Sequence, residues 1–297
     1  MTDTPNPDRL APGASAPRPG ARLALRGMLG QLPVLFSVVV LATILVLAVF
    51  APLIATTDPI AIAPAMRLKP PSPEHLLGTD AYGRDIYSRI LYGSRVSLAV
   101  GAGATLFSIA IGLVIGVIAG YFRLLDAVIM RIMDGLMAIP GILLAIALIS
   151  LTGASVVTVL VAITVPEIPR VVRLVRSVIL DVRNEAFVEA AITLGSPMRR
   201  ILLRHMVPST IAPLIVQGTF VFAAAILTEA TLSFLGAGLP SEIPSWGNMM
   251  ADGRMYFQLV PGLVLYPGLV LAFTLLSVNV LGDVLRDRLD PKMAKRS

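Results

Sequence analysis

No cysteine occurs in the 297 residues, which excludes disulfides, thiolate metal sites and cysteine nucleophiles. Histidine is nearly absent: His75 and His205 stand far apart, and neither metal-ligand nor triad spacing appears around them. No lysine follows a glycine anywhere, so the chain has no Walker phosphate loop with which to hydrolyse ATP. Charge is scarce as well. Asp, Glu, Lys and Arg make up 14% of the chain, against about 25% in an average soluble domain, and a water-soluble surface cannot be built from so little.

What is present is apolar sequence: 56% of the residues are hydrophobic, and they lie in long uncharged runs, the pattern of membrane spans. The net charge of +6 does not point to nucleic acid, because the basic residues sit in the short connections between those runs, where topology explains them. Residues 1–30, rich in Pro, Gly, Ala and Arg, read as a disordered basic tail. The run at 33–55 is too long for the core of a signal peptide, about 7–15 residues, and reads as a first span. A second span, 96–121, is rich in glycine (Gly101, Gly103, Gly112, Gly116, Gly120), which lets helix backbones approach closely in lipid.

Residues 135–166 are uncharged throughout. As one helix at about 1.5 Å per residue they would measure roughly 48 Å, against a hydrocarbon core of about 30 Å. The polar stretch Thr152-Gly153-Ala154-Ser155 divides them into a hairpin with spans at 132–151 and 156–172. Further spans at 209–235 and 262–283 bring the expected count to six, an all-α polytopic fold, with a short tail at 284–297. With the N-terminus inside, the cytoplasmic segments carry 18 Lys and Arg and the opposite side 6, which is the distribution of the positive-inside rule. Both termini and the long loop 174–208 are then cytoplasmic.

That loop contains helix punctuation. Gly195 stops one helix, and Ser196-Pro197 starts another, Ser as N-cap and Pro at the first helical position. Glu185 and Glu189 share a face at i, i+4, and Ala190 and Ala191 offer a surface with almost no side chain. On the second helix Arg200 and Arg204 stack on one side, while Ile201, Leu202 and Met206 present apolar atoms. Such a loop is either a docking surface for a partner or an amphipathic element lying among lipid headgroups.

Elsewhere, Thr79 or Asp80 is placed to cap a helix entering span two, with Gly83 permitting a tight approach; a plain turn is the alternative. Glu229 is the one acidic residue well inside span five. An ionisable group there costs about 2.5 kcal/mol or more against lipid, so it should face the bundle interior, lining a pathway or bonding a neighbouring helix. Trp246, the sole tryptophan, is expected at the membrane interface. Arg131 and Asp134 read as anchors at a span entrance, and Asn279 and Asp283 as the end of span six.

The loop also carries a recognisable order: Glu189-Ala190-Ala191, three residues, Gly195, nine residues, then His205-Met206-Val207-Pro208. It resembles the EAA motif of the inner-membrane permease subunits of bacterial ABC importers. His205 and Val207 depart from the general Ile and Leu, and the histidine is typical of the branch that imports dipeptides and oligopeptides. Residues 75–85, HLLGTDAYGRD, are similar to that branch's HPLGTDxxGRD segment, with Gly78, Thr79, Asp80, Gly83, Arg84 and Asp85 in place and Leu76 for Pro. Residues 229–247 are similar to its EAxLSFLGxG and PSWG segments, and the likeness extends from about residue 33 to 292.

The resemblance implies a type I importer permease: a non-catalytic subunit in the bacterial inner membrane that forms half of a peptide pathway. Its loop, through Glu185, Glu189, Ala190, Ala191, Gly195, Ser196, Pro197, Arg200, Arg204, His205 and Pro208, would couple it to a separate ATPase. Implied partners are a second, related permease in a heterodimer, two ATP-binding subunits or domains, and an extracytoplasmic solute-binding protein. No cofactor is expected on this chain; ATP and Mg belong to the ATPases. The same branch includes carriers for nickel and glutathione, which stand as alternative substrates. An ion-coupled carrier or an intramembrane enzyme is disfavoured by the scarcity of intramembrane charge and of catalytic groupings.

Overall fold

The computed structural model describes residues 32–289, and these are mostly helical. The expected basic tail at 1–30 lies outside the described residues, as does 290–297. The one β-type pairing among the described residues is an isolated bridge between Thr79 and Asp85. Helix α1 (Leu32–Val49) is followed by the short α2 (Ala51–Ile54), a single 3₁₀ turn (Pro64–Met66) and the long α3 (Ile86–Tyr121). Then come α4 (Arg123–Ala138), α5 (Gly141–Thr152) and α6 (Val156–Arg183), the loop helix α7 (Ala186–Thr193) and the single turn α8 (Met198–Arg200). A π-helical turn (Ile201–Met206) leads into α9 (Val207–Phe234), and α10 (Trp246–Gly253) and α11 (Gly262–Leu289) complete the bundle.

By length and composition, four helices can cross a bilayer: Leu32–Val49, Ile86–Tyr121, the continuous Met198–Phe234 and Gly262–Leu289. The pair α4 and α5 makes a fifth if its 89° bend is counted within one span. Helix α6, 28 residues long, lies outside that count and carries Glu167, Arg170, Arg173 and Arg176. The expected six is therefore an approximate count.

The expected continuous span at 132–151 is broken. Ile139, directly before Pro140, is extended (φ −94°, ψ 128°), because a proline ring disfavours helical backbone in the residue preceding it. Helix α5 ends at Gly153 (φ +85°), and Ser155 opens α6 with a reciprocal capping box to Thr158. The polar stretch expected to turn the hairpin is thus where the turn lies. Helix α11 runs on to Leu289, so Asn279 and Asp283 stand within it rather than at its end.

Glycine sets the closest helix pairing. A Cβ added at Gly112, Gly116 or Gly120 of α3 would lie 2.5–2.7 Å from Val171, Val175 and Ile179 of α6 respectively. The two helices run parallel, ridge on groove, at a separation that only a missing side chain allows. Helix α9 packs on α3 in the same way, with Ile226 filling the space over Gly101. One apolar cluster joins α3, α5, α6 and α9 around Ile149, Val159, Ile163 and Leu232. A second joins α6 to the loop helices and α9.

Candidate functional site

The functional candidates gather at two opposite ends of the bundle. At the first, α6 stops at Arg183, and Asn184 and Glu185 turn the chain into α7. Glu185 occupies the N-cap but its carboxylate makes no cap bond, so both it and Glu189 stay exposed. Helix α7 closes in a Schellman turn. The N–H of Ser196 donates to the carbonyl of Ala191 at 3.0 Å, the N–H of Gly195 donates to that of Ile192 at 2.9 Å, and Gly195 has φ +73°. Ser196 does not cap the next helix as expected. Pro197 takes that position with no side-chain bond, and the first turn closes through Arg200 N–H to the Pro197 carbonyl at 2.8 Å.

The widened π turn at 201–206 has a local cause: Pro208 offers no N–H to the carbonyl four residues back, and its ring would crowd that carbonyl. The underside of the loop is apolar and covered. Val188, Ala191, Ile201 and Met206 are buried against Val171, Val175 and Ile179 of α6. Ala190 faces outward while Ala191 faces inward, so the expected two-alanine surface is a one-alanine surface. Protein rather than lipid covers Ile201 and Met206.

The outer surface of the loop carries Glu185, Glu189, Arg200 and Arg204, all exposed, and between them large apolar side chains that sequence reasoning overlooked: Phe187, Ile192, Leu194, Met198 and Leu203. Leu194 is 85% exposed. Its position directly before the helix-stopping glycine was the available signal, since C-cap positions project from the helix end. His205 packs its ring 6.3 Å from that of Phe187 and so ties the π turn to α7. Beside the loop, Arg176 donates to Asp126 at 2.6 Å and Arg173 to Asp134 at 2.6 Å, fastening α4 to α6. Asp134 is thus a helix tie, while Glu167 and Arg170, paired at 3.1 Å on α6, went unnoticed in the sequence.

At the opposite end, the segment 75–85 folds back on itself. Asp80 accepts from the N–H groups of Tyr82 (2.8 Å) and Arg84 (2.9 Å) and from Nε of Arg84 (2.6 Å). The cap of α3 is Asp85, not Thr79 or Asp80: its Oδ2 accepts from the Ser88 N–H at 2.8 Å and from the Thr56 hydroxyl at 3.0 Å, and His75 Nδ1 lies 3.0 Å from Oδ1. Thr79 instead joins the segment to the loop before it, accepting from the Lys69 N–H at 2.9 Å. Gly83, at φ +75°, sits so close to the Ala63 carbonyl that no Cβ fits. Arg84 reaches Asp252 of α10 at 2.7 Å, and Arg89 lies 3.8 Å from Asp80 and 3.6 Å from Asp252.

Glu229 faces the bundle interior and is fully buried. It accepts from the hydroxyls of Ser245 (2.8 Å), Ser233 (2.9 Å) and Ser97 (3.3 Å). Ser245 in turn caps α10, accepting from the Asn248 N–H at 3.1 Å. Trp246 is not an interfacial anchor: it is fully buried, packed with Ile44, Ile226, Ala230 and Leu271 where Gly93 leaves room for the ring. Among the described residues, no three metal-ligating side chains converge.

This is a polytopic helical bundle that presents a two-helix loop at one end and a clamped short helix at the other, the fold of a type I ABC importer permease. A permease chain of the MetNI methionine ABC transporter matches it with a TM-score of 0.58 at 19% identity, over 69% of this chain and 98% of that one. Residues 112–295 match the family model of the binding-protein-dependent transport system inner membrane component, and the chain belongs to that family. It is 52% identical to a probable peptide ABC transporter permease protein of Sinorhizobium fredii, over 84% of this chain and 86% of that one. It is 42% identical to a dipeptide transport system permease protein of Alkalihalophilus pseudofirmus, over 86% and 84%.

Proposed function

We propose that this chain is one permease subunit of an ATP-driven peptide importer, coupled to a separate ATPase by the loop from Glu185 to Pro208. The observation that carries the coupling is the division of the loop into a buried underside and an exposed face. The underside joins α7 and the π turn to α6 and α9. The face sets Phe187, Leu194 and Met198 among Glu185, Glu189, Arg200 and Arg204, the mixture of apolar centre and charged rim found at protein interfaces. The small Ala190 lets a partner approach the helix closely.

When ATP draws two ATPase subunits together, the loop helices move with them as rigid bodies and carry α6 and α9. The chain itself performs no chemistry; ATP and Mg stay on the ATPases. A second, related permease completes the pathway, and an extracytoplasmic binding protein delivers the substrate. The chain sits in the bacterial inner membrane with both termini in the cytoplasm. Peptides are the substrate class favoured by the names of the relatives at 42–52% identity. Glu229, saturated by three hydroxyls, serves helix packing rather than the pathway.

The test is reconstitution of the assembled transporter with Glu189→Arg in this chain. The variant is expected to assemble in the membrane, to lose peptide uptake, and to hydrolyse ATP without the response to loaded binding protein. Normal uptake would remove the coupling role.

A further inference from the structure

Helices α6, α9 and α11 leave between them a groove of about 480 Å³ whose walls include Leu174, Pro213, Val216, Gln217, Phe220 and Arg286. That volume falls within the range of small-ligand pockets, about 300–1,000 Å³. Its polar groups are few and distinct. Helix α9 carries two side chains of the acid and amide types, Glu229 and Gln217. Glu229 is spoken for by three serines, whereas the Gln217 carboxamide makes no hydrogen bond among the described residues and is half-buried at the groove. Arg286 stands exposed on the facing wall, on α11. One turn along α6 from Leu174, on the same face, Arg170 is 58% exposed and paired with Glu167.

The Gln217 carboxamide, two turns into the span at 209–235, is costly against hydrocarbon, so the side of α9 that bears it faces water or a polar occupant, while Arg286 stands at the cytoplasmic end of the groove. Leu174, Val216 and Phe220 give that occupant apolar walls.

We propose that this groove is a peptide-binding stretch of the passage, in which Arg286 receives the peptide α-carboxylate and Gln217 pairs with a backbone amide. A guanidinium holds a carboxylate through two parallel charge-assisted hydrogen bonds, and a carboxamide offers both a donor and an acceptor to a peptide bond. The apolar walls take peptide side chains without selecting among them. The assignment rests on the peptide-importer reading given above.

The absence of native cysteine makes the test direct. Gln217→Cys, in the assembled transporter in proteoliposomes, is expected to react with a water-soluble methanethiosulfonate. A dipeptide supplied with binding protein and ATP is expected to slow that reaction several-fold. Adding Arg286→Gln should weaken the protection at least about tenfold, the loss of the charge-assisted pair, while Arg286→Lys, which keeps the charge but not the paired geometry, should fall between the two. If the thiol introduced by Gln217→Cys reacts only with a lipid-soluble maleimide, or if no peptide protects it in a transporter that accumulates peptide, the groove assignment is overturned. A parent transporter that accumulates no peptide overturns the substrate reading, and with it the occupant named here.

Discussion

Arg84 and Asp252, 168 positions apart in the chain, meet in a 2.7 Å hydrogen bond between Nη2 and Oδ2. Arg84 also holds Asp80 at 2.6 Å, so one guanidinium joins the segment before α3 to the last turn of α10. Removing it takes a direct charge-assisted bond from two carboxylates, one of them nearly buried, and leaves them the longer contacts of Arg89 at 3.8 and 3.6 Å. Arg84→Gln is therefore expected to cost about 2 kcal/mol. Asp252→Asn should cost less, because Asp252 is 22% exposed and Arg84 keeps Asp80. Thermal unfolding of the purified chain in detergent orders the two; equal losses would show that Asp80 takes no part.

Glu229 separates packing from passage. Glu229→Gln keeps an oxygen to accept from Ser233 and Ser245 and is expected to leave peptide uptake near normal. Glu229→Leu leaves up to three buried hydroxyls without an acceptor, at about 1–3 kcal/mol each, and should lower thermal stability and yield. Altered uptake kinetics in a stable Gln variant would restore the pathway role.

The loop depends on Gly195 for its backbone rather than for space, since nothing lies within 4 Å of where its Cβ would be. Gly195→Ala, forced to φ +73°, is expected to cost about 1 kcal/mol and to reduce uptake modestly. Gly195→Pro cannot adopt that φ and loses the N–H bonded to Ile192. It should abolish coupling while leaving insertion intact, read as ATP hydrolysis without uptake; normal transport in this variant would show that the Schellman turn is dispensable.

Topology is open to the same cysteine-free strategy. Arg199→Cys and Glu74→Cys should be labelled by a membrane-impermeant maleimide from opposite faces, the Arg199→Cys variant in inside-out vesicles and the Glu74→Cys variant in intact cells with a permeable outer envelope. Labelling of both from one face removes the orientation proposed here.

Helix pairing supplies a further outcome. Gly116→Leu drives a branched side chain into Val175 and the carbonyl of Val172. Overpacking of this kind costs about 1–3 kcal/mol, and backbone on the far side leaves little room to relax, so the variant should unfold at lower temperature in detergent. Gly135→Leu, on the exposed side of α4 with nothing within 4 Å, is the control.

Local signals were readable in the sequence and distant pairings were not. Gly195 and Gly153 announced their turns because a positive φ is a property of the residue itself. The bend at Pro140 was legible in principle, but the uncharged run around it masked the proline as one more apolar position. Asp85 and Asp80 look alike as caps; which one closes α3 depends on Thr56 arriving from elsewhere to bond Asp85, while Arg84, in the same segment, holds Asp80. Trp246 read as interfacial because aromatic belts are a statement about averages, whereas the space over Gly93 that receives it is made by two helices meeting. Glu167 escaped notice because the basic residues following it belong to a charge-rich stretch, and only the fold shows Arg170 bonded to it.

The glycine seam between α3 and α6 has a mechanical meaning. Three contacts spaced a turn apart, each without room for a single carbon, interlock the pair against sliding. The two helices therefore act as one strut. Its near end bears the loop through Val188 and Met206, and its far end begins at Asp85, in the segment held to α10 by Arg84. A displacement of the loop, in the coupling role proposed above, would travel along this strut to the opposite end of the bundle.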